Sequence, residues 1–189
     1  MDWVHAFEHP RPESWYDRPT IEVARSLLGD YLVSRRPDGW RAGRIVETEA
    51  YVADDPASHA YGGPTPRNQS MFSGPGTLYI YRIHQVHCAN LTTRLGEAVL
   101  LRAVEPLTEG LGDTRGPGRL CRAFELTRAN DGLSAVTDAR LRVIPGEGPR
   151  PPILTGPRVG IRRAQRRRLR FAMKGNRWVS SPRPPGWAG

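Results

Sequence analysis

Lysine is almost absent from this chain of 189 residues: of its 28 basic side chains only Lys174 is a lysine, and the other 27 are arginine. A reaction through a lysine Schiff base therefore has one side-chain candidate besides the amino terminus. Cysteine is nearly as scarce. Cys88 and Cys121 stand far apart and in no paired motif, which excludes a disulfide framework or a zinc ribbon and fits a reducing cytosol. No apolar run is long enough to span a bilayer, and the opening MDWVHAFEHP has neither the basic nor the apolar region of a secretory leader. Acidic residues number 19, leaving a net charge of +9 and a pI of about 10.5. Such a balance points to a polyanionic partner such as nucleic acid, because Lys and Arg that neutralise phosphates release condensed counterions.

The length predicts one domain with a sizeable core. Thr20 can cap a short helix through Leu28, with Gly29 as its stop. DYLVSRR, PDG and WRAGRIVETEAY read as two strands joined by a tight turn. Residues 53–76 are rich in Pro, Gly, Ser and Asn and form a long connection of the kind that is more often functional than idle. GTLYIYRI (76–83) and AVLLRAVEP (98–106) read as strands, while HQVHCANLTTRLG between them fits no element clearly. Gly116 and Pro117 open a helix over Arg119 to Leu126. Six arginines fall within Arg162 to Arg170, after which RFAMKGNRWVS resumes strand character. Residues 1–18 read as an N-terminal extension, 19–180 as the domain, and 181–189 (SPRPPGWAG) as a flexible tail. Hairpins and short helices without regular β-α alternation predict an α+β fold.

GRIVETEAY (43–51) places Glu47 and Glu49 on a strand. Simple alternation puts Ile45, Glu47, Glu49 and Tyr51 on one face and Val46, Thr48 and Ala50 on a core-facing one. Two like charges sharing a face need a cation, a ligand or water to compensate them. His59 in the following loop, Tyr79 and Tyr81 on the next strand and Arg102 on another could converge there. Taken singly, each has an ordinary structural reading: a surface histidine, the rim of a core, an ion-paired arginine. His84, His87 and Cys88 do not make a metal site, because 84 and 87 face opposite ways on a strand.

GRIVETEAY, HAYGGPTPRNQSMFSGPGTLYIY, CANL, AVLLRAVEPL, GPGRLC and the late PRVGI and LRFAMKGNRWVS, in that order, resemble the alkyladenine (3-methyladenine) DNA glycosylases over about residues 19–180. The resemblance implies one compact domain with a curved, mostly antiparallel sheet, flanking short helices and a protruding β-hairpin that inserts into DNA. It implies a monofunctional enzyme that flips a damaged purine from duplex DNA and hydrolyses its bond to deoxyribose, with no metal or cofactor. Glu49 would be the general base that activates water, and Arg102 would help to hold that water and a nearby phosphate. Tyr51, His59 and Tyr81 would sandwich the base, and Asn90 would exclude ordinary guanine by clashing with its amino group. His84 and Gln85 stand at the wedge position that fills the gap in the duplex, in a hairpin tip one residue shorter than usual for the family. Arg67 and Arg119 are the expected backbone contacts, Arg119 replacing a usual lysine. Glu47 is expected to pair with an arginine and takes no catalytic role. The expected partner is double-stranded DNA carrying damaged purines, with no membrane, and the protein is expected to be a monomer, cytoplasmic and nucleoid-associated if bacterial.

Two other classes compete. A nucleic-acid-binding module without catalysis would explain the charge but not the conjunction of Glu49, Tyr51, His59 and Tyr81. A carbohydrate glycosidase would also use two carboxylates, typically about 5 to 9 Å apart, but a basic protein is poorly matched to a neutral sugar polymer.

Overall fold

A computed structural model describes residues 1–187. Pro37 and Asp38 make the tight turn the sequence calls for, joining strand β1 (Tyr31–Arg36) to the long strand β2 (Gly39–Tyr51) in register from Tyr31–Arg44 to Arg36–Gly39. The segment that fitted no element becomes the return arm of a second hairpin. Strand β3 (Leu78–Ile83) turns through His84 and Gln85 into β4 (Val86–Thr92). His84 takes φ 51°, the positive value that two-residue hairpin turns need at their first central position. β4 pairs with β5 (Ala98–Pro106), and β5 pairs along the length of β2. Two short strands that the sequence did not announce, β6 (Leu141–Ile144) and β7 (Ile153–Gly156), pair with β1 and with β8 (Arg170–Met173), and β8 closes on β2. Among the described residues, eight strands form one antiparallel sheet whose main path runs β3-β4-β5-β2-β1-β6. With its few short helices this is the expected α+β architecture, a single compact domain on a curled sheet.

One face of the sheet is closed by helices α3 (Thr20–Ser26) and α4 (Pro117–Ala123), whose Val23, Ala24, Leu120 and Cys121 join Leu32, Ile45, Leu78, Leu91, Val99 and Leu101 in the main core. Thr20 does not cap α3. Pro19 holds the cap position, and the Thr20 hydroxyl turns to Thr93 and Glu97. Helices α1 (Trp3–Phe7) and α2 (Glu13–Tyr16), both within the expected extension, lie on the sheet through buried Phe7 and Tyr16. Of the expected tail, 181–187 is irregular but packed: the Pro182 carbonyl accepts from Arg170 and Trp187 lies with Met173 and Trp178. Residues 188–189 lie outside the described residues. Among the described residues no helix is long and apolar enough to cross a membrane.

α4 also fixes the second hairpin. A Cβ at Gly118 would lie 2.9 Å from the Val86 Cβ, closer than carbon atoms pack, so glycine there lets the hairpin root seat against the helix.

Candidate active site

The alternation expected along GRIVETEAY is broken by paired irregularities in the ladder. Ile45 pairs with Val104 and Glu47 with Ala103, which leaves Val46 as an extra residue on β2; Thr48 then pairs with Leu101, which leaves Arg102 as an extra residue on β5. Bulges of this kind re-aim side chains and recur beside functional sites. Ile45 consequently shares the main core with Ala50, and Val46 leaves it for a small cluster with Ala103, Ala172 and Val179. Glu47, Glu49 and Arg102 end up together on the side away from the main core, in place of the simple two-face pattern.

Neither carboxylate reaches solvent: both are 0% exposed. Glu47 is locked. Its Oε1 accepts from Arg102 Nε at 2.8 Å, Arg170 Nε at 2.6 Å and the Ser180 hydroxyl at 3.0 Å, and its Oε2 accepts from the Ser180 N–H at 2.7 Å. The expectation that it pairs with an arginine is met twice over. Glu49 is held more lightly. Its Oε1 accepts from the Val159 N–H at 2.8 Å and lies 3.2 Å from Arg102 Nη1, and its Oε2 accepts from the Tyr51 hydroxyl at 2.9 Å. Burial pushes the Glu49 carboxyl above the usual carboxylate range, and Arg102, the Val159 N–H and the Tyr51 hydroxyl pull it only part of the way back. Burial works against the Arg102 charge, but the adjacent Glu49 and Glu47 outweigh it and raise its pKa.

Tyr51, His59, Tyr81 and Asn90 line one cavity of about 270 Å³, together with Tyr79, Met71 and Ile83. The His59 ring rests edge-on against Tyr81, with centroids 4.4 Å apart, and its Nδ1 is 2.8 Å from the Tyr79 hydroxyl. Burial lowers the His59 pKa, which favours the neutral ring. Burial raises the Tyr81 and Tyr51 phenols, and that of Tyr79 to about 12, so all three remain hydroxyls. The Asn90 amide nitrogen donates to the Tyr79 carbonyl at 2.9 Å and the Cys88 carbonyl at 3.4 Å, which leaves its oxygen as the group free to meet a ligand.

Glu49 is not itself part of the cavity wall. It touches Tyr51, which is, and Arg102, which lines a separate basic groove of about 800 Å³ with Arg115, Arg119, Arg122 and Arg183. The other expected backbone contact, Arg67, lies in a second depression with Arg82 and Arg128, behind the wall formed by His59, Tyr79 and Tyr81. His84 and Gln85 are outside the cavity, exposed at the hairpin tip, flanked by Ile83 and Val86 at 48% and 36% exposure. Val159, Arg158 and Ser180 were given no role in the sequence, although PRVGI and LRFAMKGNRWVS contain them, and Arg170, which closes the arginine run, is buried against Glu47. Arg158 is buried against Asp55, donates to the Ala50 carbonyl at 3.0 Å and lies 4.5 Å from the Tyr51 ring centroid. In the arginine run, Arg162 and Arg163 line the aromatic cavity, whereas Arg167 pairs with Asp54.

A family model described as methylpurine-DNA glycosylase matches residues 14–177. Among curated proteins, one from Anaeromyxobacter dehalogenans is 45% identical, covering 92% of this chain and 87% of its own length. One from Myxococcus xanthus is 44% identical over 98% of this chain and 97% of its own, and one from Agrobacterium fabrum is 41% identical over 95% and 97%. All three bear the name "putative 3-methyladenine DNA glycosylase". The chain belongs to the methylpurine-DNA glycosylase family, DNA-repair hydrolases of N-glycosyl bonds.

Proposed function

We propose that this protein is a monofunctional glycosylase of base excision repair, a monomer that extrudes an alkylated or deaminated purine from duplex DNA and hydrolyses its glycosidic bond with water activated by Glu49. One observation carries the reading: Glu49 bridges, through Tyr51 and Arg102, an aromatic cavity and a basic groove. A flipped purine in the cavity and its phosphodiester in the groove would bring the glycosidic carbon between them, beside that carboxylate. The substrate class is 3-methyladenine, 7-methylguanine, hypoxanthine and ethenoadenine.

A purine must leave the stack before water can reach its sugar, at a cost of a few kcal/mol that is smallest for damaged or mispaired bases. The hairpin tip at His84 and Gln85, with Ile83 and Val86 beside it, would fill the vacated space. Tyr51, His59 and Tyr81 would hold the base, and the Asn90 oxygen would meet its edge and disfavour guanine. Glu49 would take a proton from water held about 3 Å away and oppose the positive charge that builds on the sugar, and its raised pKa makes it the stronger base. Arg102 keeps that carboxylate oriented, and its link to Glu47 keeps Arg102 in place. Arg67 and Arg119 would meet phosphates without reading sequence.

Incubation with a duplex carrying one hypoxanthine tests the reading. Free base is released and an abasic site remains, and borohydride traps no covalent protein–DNA adduct. Binding without release would mark a non-catalytic module, and a trapped adduct would mark a lyase acting through Lys174 or the amino terminus.

A further inference from the structure

The inference rests on the function proposed above and adds a residue to its machinery. After β8 the chain returns to the buried carboxylates by a route anchored at each step. The Asn176 amide donates to Glu105 Oε2 at 3.1 Å, and Val179 packs with Ala103, Ala172 and Val46, the extra residue of β2. Further on, the Pro182 carbonyl accepts from Arg170 Nη1 at 2.7 Å. Ser180 sits between these anchors, buried, just past residues 14–177 matched by the family model. Each of its polar groups is in use. The N–H donates to Glu47 Oε2 at 2.7 Å, and the carbonyl accepts from Arg170 Nη2 at 3.0 Å. The hydroxyl donates to Glu47 Oε1 at 3.0 Å and accepts from Arg102 Nη2 at 3.2 Å, the double role that a hydroxyl allows.

Arg102 therefore has its three guanidinium nitrogens on three partners: Nε on Glu47 at 2.8 Å, Nη2 on Ser180, and Nη1 3.2 Å from Glu49. We propose that Ser180 is a positioning residue for excision, its hydroxyl fixing the Arg102 guanidinium so that Nη1 faces Glu49. The guanidinium is rigid and planar, so two held nitrogens set the direction of the third. With Nε alone held, the plane can rock about that bond. Arg102 and Ser180 both line the basic groove, where a phosphodiester would draw a loosened guanidinium off the carboxylate. Around Glu49 stand Arg102 of β5, Glu47 and Tyr51 of its own strand and the Val159 N–H, with Cys88 of β4 and Tyr81 of β3 farther off. Burial raises the Glu49 carboxyl, and Arg102 does most to lower it. Turning Arg102 away thus leaves a carboxyl that ionises at higher pH.

The test is Ser180→Ala, which removes both hydroxyl bonds and little volume. Single-turnover release of hypoxanthine from a duplex is followed across pH, beside a denaturant titration. The rate at neutral pH is expected to fall about tenfold and the acidic limb to move to higher pH, and Ser180→Thr, which keeps the hydroxyl, restores both. In an Arg102→Gln background, Ser180→Ala costs no further rate, because the hydroxyl acts through that guanidinium. Should Ser180→Ala fail to fold, Ser180→Cys, with a weaker donor and acceptor, moves limb and rate in the same directions by less. A variant that loses stability but keeps the wild-type limb and rate overturns the positioning role and leaves the glycosylase reading standing, as does an equal loss of rate in both backgrounds. A wild-type protein that releases no base overturns both.

Discussion

Glu47 and Glu49 are two residues apart on one strand, equally buried, and held in opposite ways. Four donors from Arg102, Arg170 and Ser180 converge on Glu47, and the donors come from three separate parts of the chain. Glu49 has the Val159 N–H, the Tyr51 hydroxyl and a share of Arg102, too little to bring its pKa down to the ordinary range against burial. A carboxylate saturated with donors is a structural counter-ion. One left partly unsatisfied beside a cavity keeps proton affinity for chemistry. The contrast teaches that burial and charge alone do not mark a site; the number and origin of the partners do.

The contrast breaks first in rate. Glu49→Gln is expected to lower single-turnover excision by about 10² to 10⁴, the usual contribution of a general base, while binding to abasic-site DNA persists. Its melting temperature changes little, because the desolvation cost of the ionised carboxylate disappears as Arg102 loses one of two partners. Glu47→Gln should do the reverse. Two buried arginines lose their shared counter-ion, and stability in denaturant titration falls by about 3 kcal/mol or more, while the folded fraction loses much less rate than the Glu49 variant does. Equal losses of rate in the two variants would mean the wrong carboxylate has been given the chemistry.

Smaller changes sharpen the comparison. Gly118→Ala pushes Val86 and the hairpin off α4, an overpacking that costs about 1 to 3 kcal/mol. If the hairpin supports flipping as proposed, excision from a duplex falls more than excision from a single strand. The pH profile gives the finest test. Below the Glu49 midpoint the carboxyl is protonated and no base is present, so activity rises with pH through a limb that lies above the ordinary carboxylate value near 4.5. Tyr51→Phe removes a hydroxyl that favours the charged form, so the limb moves to still higher pH. A limb that does not move would separate Glu49 from the observed proton.

Part of this site was legible early for local reasons. Tyr31–Arg36 and Gly39–Tyr51 are strongly β-forming and Pro37-Asp38 can only turn, so the first hairpin follows from neighbours in sequence. The order of short motifs placed Tyr51, His59, Tyr81 and Asn90, and they do line one cavity. Val159 was illegible because it acts through its backbone N–H, which no side-chain pattern encodes. The partners of Glu47 were illegible because Arg102, Arg170 and Ser180 lie 55 to 133 residues away. β6 and β7 were missed because four-residue strands carry too little periodicity to register.

By itself the sequence determined the charge, the poverty in lysine, the hairpin and the identity of the two carboxylates, since these depend on composition or on residues next to one another. Only the tertiary structure decided how differently the two carboxylates are held. The extra residues Val46 and Arg102 in the β2–β5 ladder turn both carboxylates and their arginine to one side, and segments brought from the far end of the chain saturate one and spare the other. Contacts of that kind form only after the chain has closed on itself, so no local pattern can report them.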